Sequence, residues 1–174
     1  MNIDLQMFAE AVHGKKIVYL YRVLNDAATA NGAALAFTTE NERSKSKDSD
    51  STATKDGPVL TPGEVEQEIT ATSLLAKGDT LVDRLEEALD ENEIVEIWEA
   101  NLDEPVGGGQ NKFKGRYFQG YLTEVSISAS AEDYTEVSLT FGINGAGVKG
   151  DVTVSAEQQE VAAYVFKDTT KTGA

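Results

Sequence analysis

The stretch from Ala131 to Gly150 places the tightest limit on what this chain can fold into. In AEDYTEVSLTFG, Thr135, Val137, Leu139 and Phe141 alternate with Tyr134, Glu136, Ser138 and Thr140. That period of two marks a half-buried strand, apolar toward a core and polar toward water. The strand runs directly into INGAGVKGD, where Gly145, Gly147 and Gly150 spell G-x-G-x-x-G. A dinucleotide-binding turn of this spacing works only when a helix comes next, because the helix N-terminus supplies the N–H groups that hold the pyrophosphate. The next residues are instead Asp151-Val152-Thr153-Val154-Ser155, a β-branched alternation that predicts another strand. The glycine segment is therefore expected to be a hairpin connection, and the chain's strongest enzymatic motif falls away.

Other chemistry is scarce. With no cysteine there is no disulfide framework, thiolate metal site or cysteine nucleophile, and His13 as the sole histidine cannot build a triad or a paired-His site. Asp48-Ser49-Asp50-Ser51-Thr52 hints at a calcium loop, but Ala53 sits where the turn glycine is needed and Val59 where the bidentate glutamate belongs. Gly107-Gly108-Gly109 lacks the lysine–serine pair and the helix of a phosphate cradle. No catalytic, cofactor-binding or metal-ligating residue is assigned. Carboxylate pairs such as Glu86-Glu87 and Glu132-Asp133, and the strand aromatics Tyr117, Phe118 and Tyr121, keep one alternative open: a carbohydrate-binding or hydrolytic β-sandwich.

Charge narrows the partners. Thirty acidic residues against fifteen Lys+Arg give a formal charge of −15, which repels nucleic-acid backbones and argues against sequence-specific DNA or RNA binding. No apolar run has the length of a membrane span, and MNIDLQMFAE lacks the basic and apolar regions of a secretory leader.

The 174 residues suit a single domain, 1–174, with flexible ends expected at 1–14 and 167–174. Lys16–Leu24 and Leu35–Thr39 are expected to form an N-terminal hairpin around Asn31-Gly32. Residues 40–56, ENERSKSKDSDSTATKD, hold no large apolar side chain and are expected to be a mobile loop. Glu64–Ser73 alternates strictly, with Val65, Gln67, Ile69 and Ala71 on one face and an acidic face opposite. Asp79–Asn92 predicts the one helix, capped by Asp79 and carrying an apolar stripe of Leu81, Val82, Leu85, Ala88 and Leu89. Glu93–Ala100 reads as a strand, Asn101–Asn111 as a loop, and Lys112–Ser130 as a long strand bent at Gly115 and Gly120. Val161–Phe166 is expected to be the last strand. The fold class is thus mainly β, a sandwich or barrel with one flanking helix.

An N-terminal hairpin, a polar loop, a single helix and long C-terminal strands resemble the major tail protein (tail tube) family of long-tailed, non-contractile bacteriophages of Gram-positive hosts. The segments carrying the resemblance are Thr39–Thr80, LVDRLEEALDEN, EIVEIWEANL and GRYFQGYLTEVSISASAEDYTEVSLTFGINGAG. The resemblance implies a structural virion protein, made in the host bacterial cytoplasm, that assembles with itself into stacked hexameric rings. Long hairpins would share one β-barrel around a lumen that holds a tape-measure protein, meets tail-terminator and distal tail proteins, and later passes DNA. Under that reading Glu64, Glu66, Glu68, Glu124 and Glu136 are candidate lumen acids. Ser44, Lys45, Lys47, Asp48, Asp50 and Lys55 become candidates for an inter-ring segment. A secretion-system tube or a tail terminator would share the architecture, so the fold alone leaves those alternatives open.

Overall fold

A computed structural model describes residues 9–108 and 110–163. Six antiparallel strands form one sheet: β1 (Ile17–Val23), β2 (Thr38–Thr54), β3 (Gly57–Leu74), β4 (Val95–Pro105), β5 (Lys112–Ser128) and β6 (Glu136–Thr153). Their order is β1-β4-β5-β6-β3-β2. Helix α1 (Thr80–Asp90) connects β3 to β4, and a short α2 (Ala156–Ala163) comes after β6. The mainly β architecture with one flanking helix is the fold expected from the sequence.

Helix α1 starts where its cap dictates. The Asp79 carboxylate accepts from the N–H groups of Leu81 at 3.0 Å and Val82 at 3.4 Å, satisfying two of the donors a helix start leaves open. The chain leaves the helix at Asn92, whose φ of +55° is the left-handed conformation that asparagine tolerates. Between them Val82, Leu85 and Ala88 bury one stripe against the sheet, with Leu81 and Leu89 half-buried beside it.

The main core joins that stripe to Tyr19, Tyr21 and Val23 of β1, Ile69 and Ala71 of β3, Val95 and Ile97 of β4, and Phe118 and Leu122 of β5. Val137, Leu139 and Phe141 of β6 complete it, so the predicted apolar face of that strand is the buried one. A smaller cluster of Val18, Leu20, Ala100, Phe113, Val152 and Val154 packs on the other face of β1 and β4. The sheet curls until its two outermost strands meet through side chains. Tyr21 on β1 stacks on Phe141 with ring centres 5.3 Å apart, and its hydroxyl donates to Asn41 on β2 at 3.1 Å.

Several local expectations are overturned. Residues 40–56 are not a loop: β2 pairs residue by residue with β3, and only Lys55 and Asp56 make the turn. The missing apolar residues are irrelevant to the hydrogen-bond ladder, which needs only a partner strand. Gly57-Pro58 and Pro62-Gly63 accordingly lie within β3 rather than bracketing a turn, and the Pro nitrogens cost no ladder bond where β3 is paired on one side only. β1 pairs with β4, not with a sequence-adjacent hairpin partner, and the Asn31-Gly32 segment touches β1 through a single bridge, Tyr21 to Ala33. Asn101–Pro105 belongs to β4, so the glycine-rich loop is shorter than expected.

The glycine segment is also not a hairpin. β6 runs unbroken from Glu136 to Thr153, and Gly145, Ala146 and Gly147 bulge out where only Phe118 stands opposite on β5. Gly147 has φ +73°, and a Cβ there would overlap the Phe118 ring, so the glycine is what lets the strand pass over a buried aromatic. Of the predicted terminal strand, residues 161–163 are helical within α2, while 164–166 lie outside the described residues. The same holds for residues 1–8 and 167–174 among the ends expected to be flexible. Residues 9–13 are exposed without regular structure, and His13 caps a 3-10 turn at Gly14–Lys16.

Candidate functional site

In an antiparallel ladder, directly paired residues project to the same side, so the register sorts side chains into faces. Glu42 pairs with Thr70, Ser44 with Glu68 and Ser46 with Glu66. Thr70 continues to Thr140 and Thr72 to Ser138 on β6, and Thr140 to Glu124 and Ser138 to Ser126 on β5. Glu40, Glu42, Glu64, Glu66, Glu68, Glu124 and Glu136 therefore share one face of the four-strand layer β2-β3-β6-β5, and all seven are exposed. The five glutamates singled out from the sequence are thus brought together. No lysine or arginine interrupts them on the paired positions of that face.

The carboxylates are also staggered. Glu40 faces Thr72, Glu42 faces Thr70, Glu66 faces Ser46, Glu124 faces Thr140, and Glu68 lies between Ser44 and Gly142. Glu136 lies between Leu74 and Ser128. Like charges directly opposite each other destabilise a sheet, and this pattern avoids every such pair while keeping the face acidic.

Two open edges bound the layer. Along β2 no other strand pairs on the side away from β3. On β5 the pairing with β4 ends at Gly120, so Tyr121–Ser128 has β6 on one side and no strand on the other. Such edges are templates for pairing with another chain. Beyond Glu68, β3 has only β2 as a neighbour, so residues 44–67 project from the body as a two-stranded arm. An isolated two-stranded ribbon is marginal in water, which makes this arm dependent on further contacts.

The candidate arm residues divide between its surfaces. Ser44 lies on the acidic face, whereas Lys45 and Lys47 pair with Gln67 and Val65 on the opposite one. Asp48 occupies the bulge beside Gly63, Asp50 pairs with Thr61, and Lys55 is in the terminal turn. Glu40 and Glu42 were hidden by the expectation of a loop. Their signal was present in E-N-E-R-S-K-S-K, where Glu, Glu, Ser and Ser alternate with Asn, Arg, Lys and Lys at the strand period.

Behind the face, ion pairs anchor the arm's root and the helix. Arg43 on β2 donates through Nε to Glu99 on β4 at 2.8 Å, and the Tyr19 hydroxyl donates to the same carboxylate. Burial pushes the Tyr19 and Tyr21 hydroxyls well above the usual phenol range, and the Glu99 carboxylate reinforces the shift at Tyr19. Hydrogen bonding to Glu99 likewise holds the Arg43 guanidinium charged. Arg22 donates to Glu96 at 2.6 Å while lying 5.0 Å from the centre of the Trp98 ring, and Glu96 also accepts from Tyr117 at 2.7 Å. Of the aromatics considered for sugar binding, Phe118 is buried, Tyr117 is tied into this network, and only Tyr121 is exposed. Among the described residues no group of three or more acidic or histidine side chains is arranged to hold a metal ion.

A family profile described as phage tail tube protein matches residues 11–149. A protein of Staphylococcus phage phiMR25 described as a tail protein is 30% identical over 161 residues, covering 90% of this chain and 82% of the relative. The tail tube protein gp17.1* of Bacillus phage SPP1 is 22% identical over 148 residues, covering 84% of this chain and 54% of that protein. In three dimensions the chain is similar to the SPP1 tail tube subunit, with a TM-score of 0.70 at 19% identity over 94% of this chain and 95% of that one. It is also similar to the tail of a gene transfer agent particle refined with C6 symmetry, with a TM-score of 0.62 at 14% identity over 79% of this chain and 98% of that one. The chain belongs to the phage tail tube protein family, and its role is that of a structural protein of the virion tail rather than an enzyme.

Proposed function

We propose that copies of this chain close into a ring by pairing the free edge of β2 in one copy with the free Tyr121–Ser128 edge of β5 in the next, and that the rings stack into the conduit for DNA. One observation carries this reading: an acidic, Ser/Thr-rich face is bounded on both sides by unpaired strand edges. Two different edges of the same subunit make a heterologous contact, which closes when its rotation divides a full turn. Six copies would do so in the hexameric ring the family resemblance implies. The seven-glutamate face then lines the lumen, where it repels a DNA backbone and leaves no cation to trap it. Glu64, Glu66, Glu68, Glu124 and Glu136 are lumen residues in this arrangement, joined by Glu40 and Glu42.

The arm at residues 44–67 reaches beyond its own ring, carrying Ser44, Lys45, Lys47, Asp48, Asp50 and Lys55 into contact with a neighbour. During assembly in the host cytoplasm the lumen would hold a tape-measure protein, with terminator and distal tail proteins at the two ends. Electron microscopy of the concentrated protein is expected to show rings or tubes of uniform bore. Deleting Ser44–Lys55 is expected to leave a folded subunit that does not make tubes. A strictly monomeric parent chain, or normal tubes from the deletion variant, would overturn the corresponding part of the reading.

A further inference from the structure

Two sets of exposed apolar side chains sit at opposite ends of the four-strand layer. At the arm tip, beside the Lys55-Asp56 turn, Val59 is 53% and Leu60 65% exposed. At the other end, Phe37, Leu75, Ile127 and Tyr134 are 66%, 42%, 50% and 82% exposed. These four belong to one rim. The Leu74 N–H donates to the Phe37 carbonyl, the Leu75 N–H to the Thr135 carbonyl, and Ile127 pairs with Val137. With 18 residues in β3, the two ends are separated by roughly 60 Å at the rise of a strand, so no side chain within one copy joins them.

Phe37 adds a second observation. Its φ is +50°, an uncommon conformation for a bulky residue, and its side chain faces solvent while its carbonyl is held by Leu74. Nothing in the subunit's own packing accounts for an aromatic presented in this way. Charge points to the same pairing: Lys55 stands at the tip, and Glu132 and Asp133 immediately precede Tyr134 at the rim.

We infer that the rim is the receptor for the arm tip of a second copy, so that Val59 and Leu60 of one subunit dock among Phe37, Leu75 and Tyr134 of the next along the tube axis. The inference rests on the ring-and-tube reading and adds to it the receiving surface. A head-to-tail contact between two unlike patches of one chain propagates without closing, as a stacked tube requires. The apolar side chains supply the driving force on leaving water, and Lys55 opposite Glu132 and Asp133 sets the orientation.

The absence of native cysteine makes the contact testable by cross-linking. Leu60→Cys combined with Tyr134→Cys in one chain, assembled and treated with a short bismaleimide, is expected to give a ladder of oligomers on a denaturing gel. Each single variant is expected to give no ladder. Leu60→Glu and Tyr134→Glu are each expected to leave rings intact and abolish tubes. Tubes that form normally but yield no ladder, a cross-link from position 134 mapped to any segment other than the arm tip, or normal tubes from both glutamate variants would each overturn the inference while leaving the tube reading standing. If the unaltered chain makes neither rings nor tubes, the tube reading falls and takes this inference with it.

Discussion

Arg43 and Glu99 sit on strands that are not neighbours, one on the outermost β2 and the other on β4, yet Arg43 Nε lies 2.8 Å from Glu99 Oε2. The pair closes the curl of the sheet and ties the root of the arm to the body. Tyr19 donates to the same carboxylate, and the guanidinium lies 5.8 Å from the centre of the Phe118 ring.

Removing either partner leaves the other partly buried without its counter-charge. Arg43→Ala or Glu99→Gln is therefore expected to destabilise the subunit by about 2 kcal/mol, between the values for exposed and fully buried pairs. Chemical denaturation of the free subunit checks this. A midpoint unchanged in both variants would show that the sheet closes without the pair.

Arg84 joins three segments through Asp26 at 2.8 Å and Glu93 at 2.6 Å. Its hydrogen bond, supported by one from Asn25, holds the Glu93 carboxyl below the usual carboxylate range. A carboxylate depressed in the folded state contributes stability above its unfolded value, near about 4.3, and loses it as pH falls through the lower folded value. Arg84→Gln is expected to flatten the acid limb of the stability profile in that window and change its slope little near neutrality. Denaturation midpoints measured across the acid range decide this. Parallel profiles for the variant and the parent would refute it.

Gly147 and Gly120 are close-approach positions, where a Cβ would overlap the Phe118 ring and the Gly142 carbonyl oxygen, respectively. Gly147→Ala adds a positive-φ penalty to the clash and is expected to cost about 2 kcal/mol or more. Gly150→Ala, where a Cβ meets no atom within 4 Å, is the control and is expected to change stability by less than about 0.5 kcal/mol. Equal thermal midpoints for the two variants would contradict the role assigned to the bulge.

Reversing charge on the exposed acidic face tests its use apart from folding. The triple variant Glu64→Lys, Glu66→Lys and Glu68→Lys is expected to fold and assemble, because these side chains are solvated and opposite Ser, Thr or Gly wherever paired. Its tubes are expected to retain duplex DNA at low salt and release it as salt rises. Retention measured by co-sedimentation that is no greater than for the parent would place those residues away from the conduit.

Helix α1 and the inward face of β6 were legible because each pairs a periodic apolar pattern with local punctuation, Asp79 before the helix and the Glu132-Asp133 bends before the strand. The arm was not legible. Its stability comes from backbone pairing with β3, and composition alone reads a polar segment as a loop. The glycine bulge failed for a related reason: Gly145 and Gly147 mark either a turn or a bulge, and only the aromatic opposite, Phe118, selects the bulge. The acidic lumen candidates were identifiable individually, but their common face depends on the registers of β2, β3, β6 and β5.

By itself the sequence determined the strand-rich class, the single capped helix, the acidic charge and the absence of cysteine chemistry, because each arises from local pattern or composition. Only the tertiary structure decided which strands are neighbours, which edges stay unpaired and where seven carboxylates share a surface. Those depend on contacts between residues far apart in the chain, whose pairing is fixed by the core and not by any one segment.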